Sequence, residues 1–133
     1  MIIDANGLNT RTVGRFGEDI AARYLEREGL SVVRRNYLKK WGEIDIIAMK
    51  GSEVCFFEVK SVTRPLVAVG SGDHRPEDNV HQEKARRIRR MIQTFFFEQG
   101  MGTEERFSFH VLCVYMDMSK RCARVKWIKD VVL

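Results

Sequence analysis

The sequence predicts an α/β domain with the element order α-β-β-β-α-β-β, and three observations carry that reading. Two stretches place apolar residues at helical spacing. Five shorter ones, rich in Val, Ile and Phe, read as strands. Most turn-forming residues fall between these stretches rather than inside them. With 133 residues, 44% of them apolar, one domain can bury its own core. No internal repeat or composition break marks a second domain. The division is a loose arm over residues 1–12 and a single domain over 13–133.

The first helix is expected from Val13 to Glu28, where Phe16, Ile20 and Tyr24 form one row, with Ala21, Ala22 and Leu25 beside it. Gly29 is placed to end it with a left-handed cap. Leu30 to Tyr37 reads as a strand, followed by a basic connection over 38–42. Glu43 to Met49 and Val54 to Ser61 are two strands joined at Gly51-Ser52, which suits a tight hairpin. Residues 62–79 hold both prolines and a glycine-rich run, and read as a functional or mobile loop. A second helix is expected from Asn79 to Glu98, with Val80, Ile88, Met91, Ile92, Phe95 and Phe96 as its stripe. Phe107 to Met116 and Cys122 to Ile128 complete the strands.

Lysine and arginine number 23 against 18 acids, a formal charge of +5 that favours a polyanionic partner. Cys55, Cys113 and Cys122 form no C-x-x-C pair and lie at no zinc spacing from His74, His81 or His110. They read as reduced thiols of a cytoplasmic protein. The opening residues are too polar for a signal peptide, and no apolar run approaches the ~18 residues of a membrane span.

The chemistry is concentrated in Gly42-Glu43-Ile44-Asp45-Ile46-Ile47-Ala48 and Phe57-Glu58-Val59-Lys60. Acids inside apolar strands are costly unless they are paired or bound to something. A turn at Gly51-Ser52 that pairs Lys50 with Glu53 sets Asp45 opposite Glu58, and Glu43 opposite Lys60. Alternation then gives Asp45, Glu58 and Lys60 one shared sheet face. Opposed residues have Cβ atoms about 4.5–5.5 Å apart, where two carboxylates repel unless a cation lies between them or one is protonated. Neutralising either acid is therefore expected to leave stability unchanged or to raise it. Mg²⁺ or Mn²⁺ suits such oxygen ligands, and Lys60 could steady charge developing on a phosphate. Glu18 shares the helix row of Ala22 and Leu25, off which Arg15 and Asp19 fall. It either faces the sheet as a third acid or complements the helix dipole. An ordinary Glu43–Lys60 ion pair between half-exposed strand acids is the competing reading of the hairpin.

These residues, with Gly14-Arg15-Phe16-Gly17-Glu18 and Asn36, resemble the YraN-like family of bacterial proteins predicted to be endonucleases. The likeness runs over about residues 12–116 and extends to Lys84 and the arginine-rich helix after it. That family is similar in turn to archaeal Holliday-junction resolvases and the PD-(D/E)xK nucleases. The resemblance implies a restriction-endonuclease-like fold, a mixed central sheet flanked by helices. It implies Asp45 and Glu58 as metal ligands, with the Val59 carbonyl as a third. Lys60 becomes the catalytic lysine, Glu18 the acid of the first helix, and Glu43 a motif residue without a clear role. Two departures touch substrate contacts rather than the catalytic set. Leu38 stands where the family often has a basic residue, and Phe107-Ser108-Phe109-His110 replaces an Arg-Phe-Asp segment.

Lys39, Lys40, Lys84, Arg86, Arg87 and Arg90 are the candidate nucleic-acid contacts, since phosphate contacts supply most of such affinity. His110 reads as a satisfied strand histidine, and Trp41 and Trp127 as packing residues. The resulting expectation is an Mg²⁺- or Mn²⁺-dependent endonuclease of branched or irregular DNA, with DNA favoured over RNA and no membrane partner. A symmetric homodimer would suit a two-strand substrate. A non-catalytic nucleic-acid-binding module and a basic protein-interaction subunit are the alternatives.

Overall fold

The first apolar row forms α1 (Thr10–Arg27), which begins slightly before its clear periodicity. Gly29, with φ +92°, closes it, and the Leu30 amide returns to the Leu25 carbonyl at 3.0 Å. The strands follow as β1 (Ser31–Lys39), β2 (Gly42–Lys50) and β3 (Glu53–Thr63). Next come α2 (Gln82–Glu98), β4 (Phe107–Asp117) and β5 (Cys122–Ile128). This computed structural model describes residues 10–63, 82–102 and 106–133. Most of the expected 62–79 loop, the first residues of the arm, and Val80, His74 and His81 lie outside the described residues.

The five strands form one sheet in the order β1-β2-β3-β4-β5. β3 and β4 run parallel, joined through α2, and the other neighbours are antiparallel. The basic connection shrinks to Lys40-Trp41, because β1 and β2 pair out to Lys39 and Gly42. The Gly51-Ser52 turn forms as expected, with Gly51 at φ +61° and Lys50 opposite Glu53.

Each helix covers one face of this mixed sheet. Ile20, Ala21, Ala22 and Leu25 of α1 pack on Ile46, Ala48, Cys55, Phe57, Leu112 and Val114. Ile88, Met91, Ile92, Phe95 and Phe96 of α2 pack on Tyr37, Ile44, Ile47, Phe56 and Val111. Each fully buried side chain of this kind contributes about 1.5–3 kcal/mol, so the two apolar stripes fix both helices to the central strands. Among the described residues, no helix is long and apolar enough to cross a membrane.

Candidate active site

β2 and β3 pair from Lys50–Glu53 as far as Ile46–Phe57, in the register expected from the turn. Beyond that point they part. β2 stays with β1 to the Lys39–Gly42 pair, while β3 stays with β4 to Thr63–Met116. Asp45 and Glu58 are the next residues along the interrupted ladder. There the Asp45 side chain replaces a strand partner, its Oδ2 accepting the Val59 amide at 2.7 Å. The carbonyl of a strand residue projects from the same edge as its N–H, so Val59 also presents its oxygen to this gap.

Glu58 and Lys60 follow Val54 and Phe56 onto the α2 face, as alternation requires. Lys60 Nζ lies 3.2 Å from Glu58 Oε1, and Lys84 Nζ reaches the same oxygen from α2 at 2.5 Å. The other oxygen, Glu58 Oε2, is buried with no hydrogen-bond partner among the described residues. Asp45 corrects the expectation of a single shared face. Ile44, before it, packs in the α2-side core, whereas Ile46, after it, packs in the α1-side core. The pleat therefore reverses at Asp45, and its carboxylate points across the gap toward β3. Ile44, Ile46, Ile47 and Ala48 are all buried, so no apolar alternation in the sequence marks the reversal.

Burial is the main cause that raises the Asp45 pKa, to about 7; the Val59 amide opposes it, and Glu43, Glu18 and Glu58 add to it. Burial alone would lower Lys60, but the adjacent Glu58 outweighs it and holds the ammonium above its ordinary range. On the α1 side, Asp45 and Val59 open into a groove of about 880 Å³ shared with Glu18, Asp19, Arg35 and Asn36. The Glu18 side chain is 13% exposed, and Arg35 bridges it at 3.3 Å and Asp19 at 2.6 Å. Of the two readings of Glu18, this position matches the acid that faces the sheet. Arg15 and Asp19, which fall off the helix row of Ala22 and Leu25, also line the groove. α1 can lie this close because residue 17 is glycine: a Cβ there would run into the Ser61 hydroxyl.

The basic candidates divide. Lys40, Lys84 and Arg87 line a second groove of about 400 Å³ on the α2 side, with Trp41 and Glu43. Exposed Glu43 borders both grooves. The Arg90 guanidinium stacks 4.0 Å from the Trp41 ring centroid, and Trp41 itself packs against the core. Arg86 is exposed on α2. Lys39 instead pairs with Glu98 at 2.6 Å, and the same carboxylate accepts the Tyr37 hydroxyl.

Residues 17–114 match the model of "Uncharacterised protein family UPF0102". The chain belongs to that family, the YraN-like family of the resemblance. Among its relatives, a UPF0102 protein of Moorella thermoacetica is 34% identical over 122 residues, covering 92% of this chain and 96% of its own. One from Caldicellulosiruptor bescii is 30% identical over 123 residues, 92% and 98% of the two chains. One from Parafrankia sp. is 40% identical over 108 residues, 81% and 86%. The span matched to UPF0102 contains Glu18, Asp45, Glu58, Lys60 and Lys84.

The UPF0102 chain also gathers Glu53, Cys55 and His110 at the far end of β3, with potential ligand atoms within 4.8 Å of one another. Sequence spacing gave no sign of this group, because the parallel β3–β4 pairing creates it. Its centre is filled by a hydroxyl. Ser108 Oγ lies 2.8 Å from Glu53 and 2.6 Å from His110 Nε2. His110 Nδ1 accepts the Asp130 amide at 3.1 Å, which leaves the ring proton on Nε2, facing Ser108. Each group thus has its partner, and His110 is the satisfied strand histidine expected, stacked on Phe57 at 5.0 Å.

Proposed function

We propose that this protein is a metal-dependent endonuclease of restriction-endonuclease-like fold, acting on branched or irregular DNA. One observation carries the reading. Asp45 accepts the Val59 amide at a gap where the sheet opens, near enough for the Glu58 charge to act on it, and Glu58 Oε2 is buried with no partner among the described residues. An all-oxygen donor set of two carboxylates and the Val59 carbonyl fits Mg²⁺ or Mn²⁺. Such an ion would supply a Lewis acid for a phosphodiester oxygen.

The remaining roles belong to the chain. The Lys60 ammonium, beside Glu58 and kept protonated by it, is placed to hold a water and offset charge on the phosphate. Glu18 adds negative potential to the Asp45 groove and is itself oriented by Arg35. Lys40, Lys84 and Arg87 supply phosphate contacts on the α2 side. A chain of this size offers little surface for reading base edges, so shape rather than sequence selects the substrate.

Lys84 also favours a second reading. It and Lys60 already balance the charge of Glu58, as they would in a nucleic-acid-binding module that does not hydrolyse. A cleavage panel of branched, flapped, linear duplex, single-stranded and RNA substrates with Mg²⁺ or Mn²⁺ separates the two. The nuclease cuts a branched DNA, and Asp45→Asn and Lys60→Ala abolish the cut. Salt-dependent binding with no cleavage of any substrate supports the binding module.

A further inference from the structure

Asn36 lies between two ladder pairs of β1 and β2, Arg35–Ile46 and Tyr37–Ile44, and so sits across from Asp45. Its backbone is left-handed, at φ 53°. The residues flanking it leave on opposite faces. Arg35 goes to the α1 side and pairs with Asp19, whereas Tyr37 is buried in the α2-side core and donates to Glu98. In a regular strand, residues two apart share a face. A single left-handed residue supplies the missing half-turn, and asparagine is among the few non-glycine residues that adopt this conformation readily.

β2 has no positive-φ residue of its own at this level. It is held on both sides of the reversal by its partners, Ile46 opposite Arg35 and Ile44 opposite Tyr37. We propose that Asn36 is a positioning residue. Its left-handed backbone reverses the pleat of β1, the ladder imposes the same reversal on β2, and the Asp45 carboxylate is thereby turned onto the Val59 amide and into the gap. The consequence for cation binding rests on the proposed function. The conformational claim does not.

The test compares Asn36→Gly, which keeps the left-handed backbone but removes the side chain, with Asn36→Val, which opposes that backbone. Two quantities are read: hydrogen exchange at the Val59 amide, and Mn²⁺ affinity by calorimetry. Unchanged slow exchange at Leu112 and Val114 in β4 reports an intact fold. In Asn36→Val, Val59 exchange accelerates and Mn²⁺ affinity falls, each by about tenfold, the cost of one residue forced to be left-handed. Asn36→Gly stays close to wild type in both. If valine prevents folding, Asn36→Ala gives the same ordering with a smaller effect. Wild-type exchange at Val59 in a folded valine or alanine variant overturns the proposal, as does equal loss in the glycine variant. If wild type binds no Mn²⁺, the nuclease reading fails, while the Val59 exchange pattern still decides the role of Asn36.

Discussion

Folded Asp45 keeps its proton up to about pH 7, against an ordinary value of 3.8. A carboxyl with a raised folded-state pKa contributes stability that is complete below the unfolded value and is lost as pH rises through the folded one. Between about pH 4 and 7, the wild type should therefore lose stability that an Asp45→Asn variant retains. At pH 8 without divalent ions, urea denaturation should find the variant more stable, by on the order of 2–4 kcal/mol. The Asn side-chain oxygen still accepts the Val59 amide, so the hydrogen bond is not the variable. Glu58→Gln should behave differently. The sequence set two mutually repelling acids against each other, so neutralising either was expected to leave stability unchanged or raise it. Two ammonium groups, however, converge on Glu58. Removing its charge leaves Lys60 and Lys84 facing each other, and the same denaturation measurement should show a loss of about 1–2 kcal/mol.

At the level of elements, the site depends on how closely α1 approaches β3. Gly17→Ala would drive a methyl group into Ser61 and should cost about 1–3 kcal/mol in thermal denaturation. Ser61→Gly in the same chain should recover most of it, because the obstacle is that one side chain. The hairpin was legible in advance, since Gly51-Ser52 fixes a register that holds through Ile46–Phe57. What happens past that register was not. Strand pairing is a tertiary choice, and nothing in Asp45 or Glu58 alone says that β2 will remain with β1 while β3 remains with β4. Asn36 carried a local signal, as an asparagine inside a strand, but its meaning needed the residue across the ladder. Nothing in the sequence around Arg35 marks an ion pair, and only the placement of α1 shows its two carboxylate partners.

Across the whole molecule, the two sides of the gap differ in charge, with Arg15 and Arg35 partly offsetting the acids of the α1 side. Glu18, Asp19 and Asp45 lie on the α1 side, and Lys40, Lys84 and Arg87 on the α2 side, with Glu43 at the border. On the proposed function, a polyanion bound through the α2 groove would have its phosphates beside the gap, where a divalent ion would be needed to accept them. Arg87→Ala and Arg90→Ala should each weaken DNA binding and reduce the slope of log affinity against log salt by about 1, measured by fluorescence anisotropy. Asp45→Asn should leave that slope unchanged. The most direct test of the proposed metal site is the melting temperature of wild type and Asp45→Asn, with and without Mg²⁺ or Mn²⁺ at pH 8. Either ion should raise the wild-type melting temperature, by relieving the ionised Asp45 and the Glu58 oxygen that has no partner among the described residues, and the variant should lose most of this response. A wild type that ignores both ions, even with branched DNA present, would contradict the proposed site.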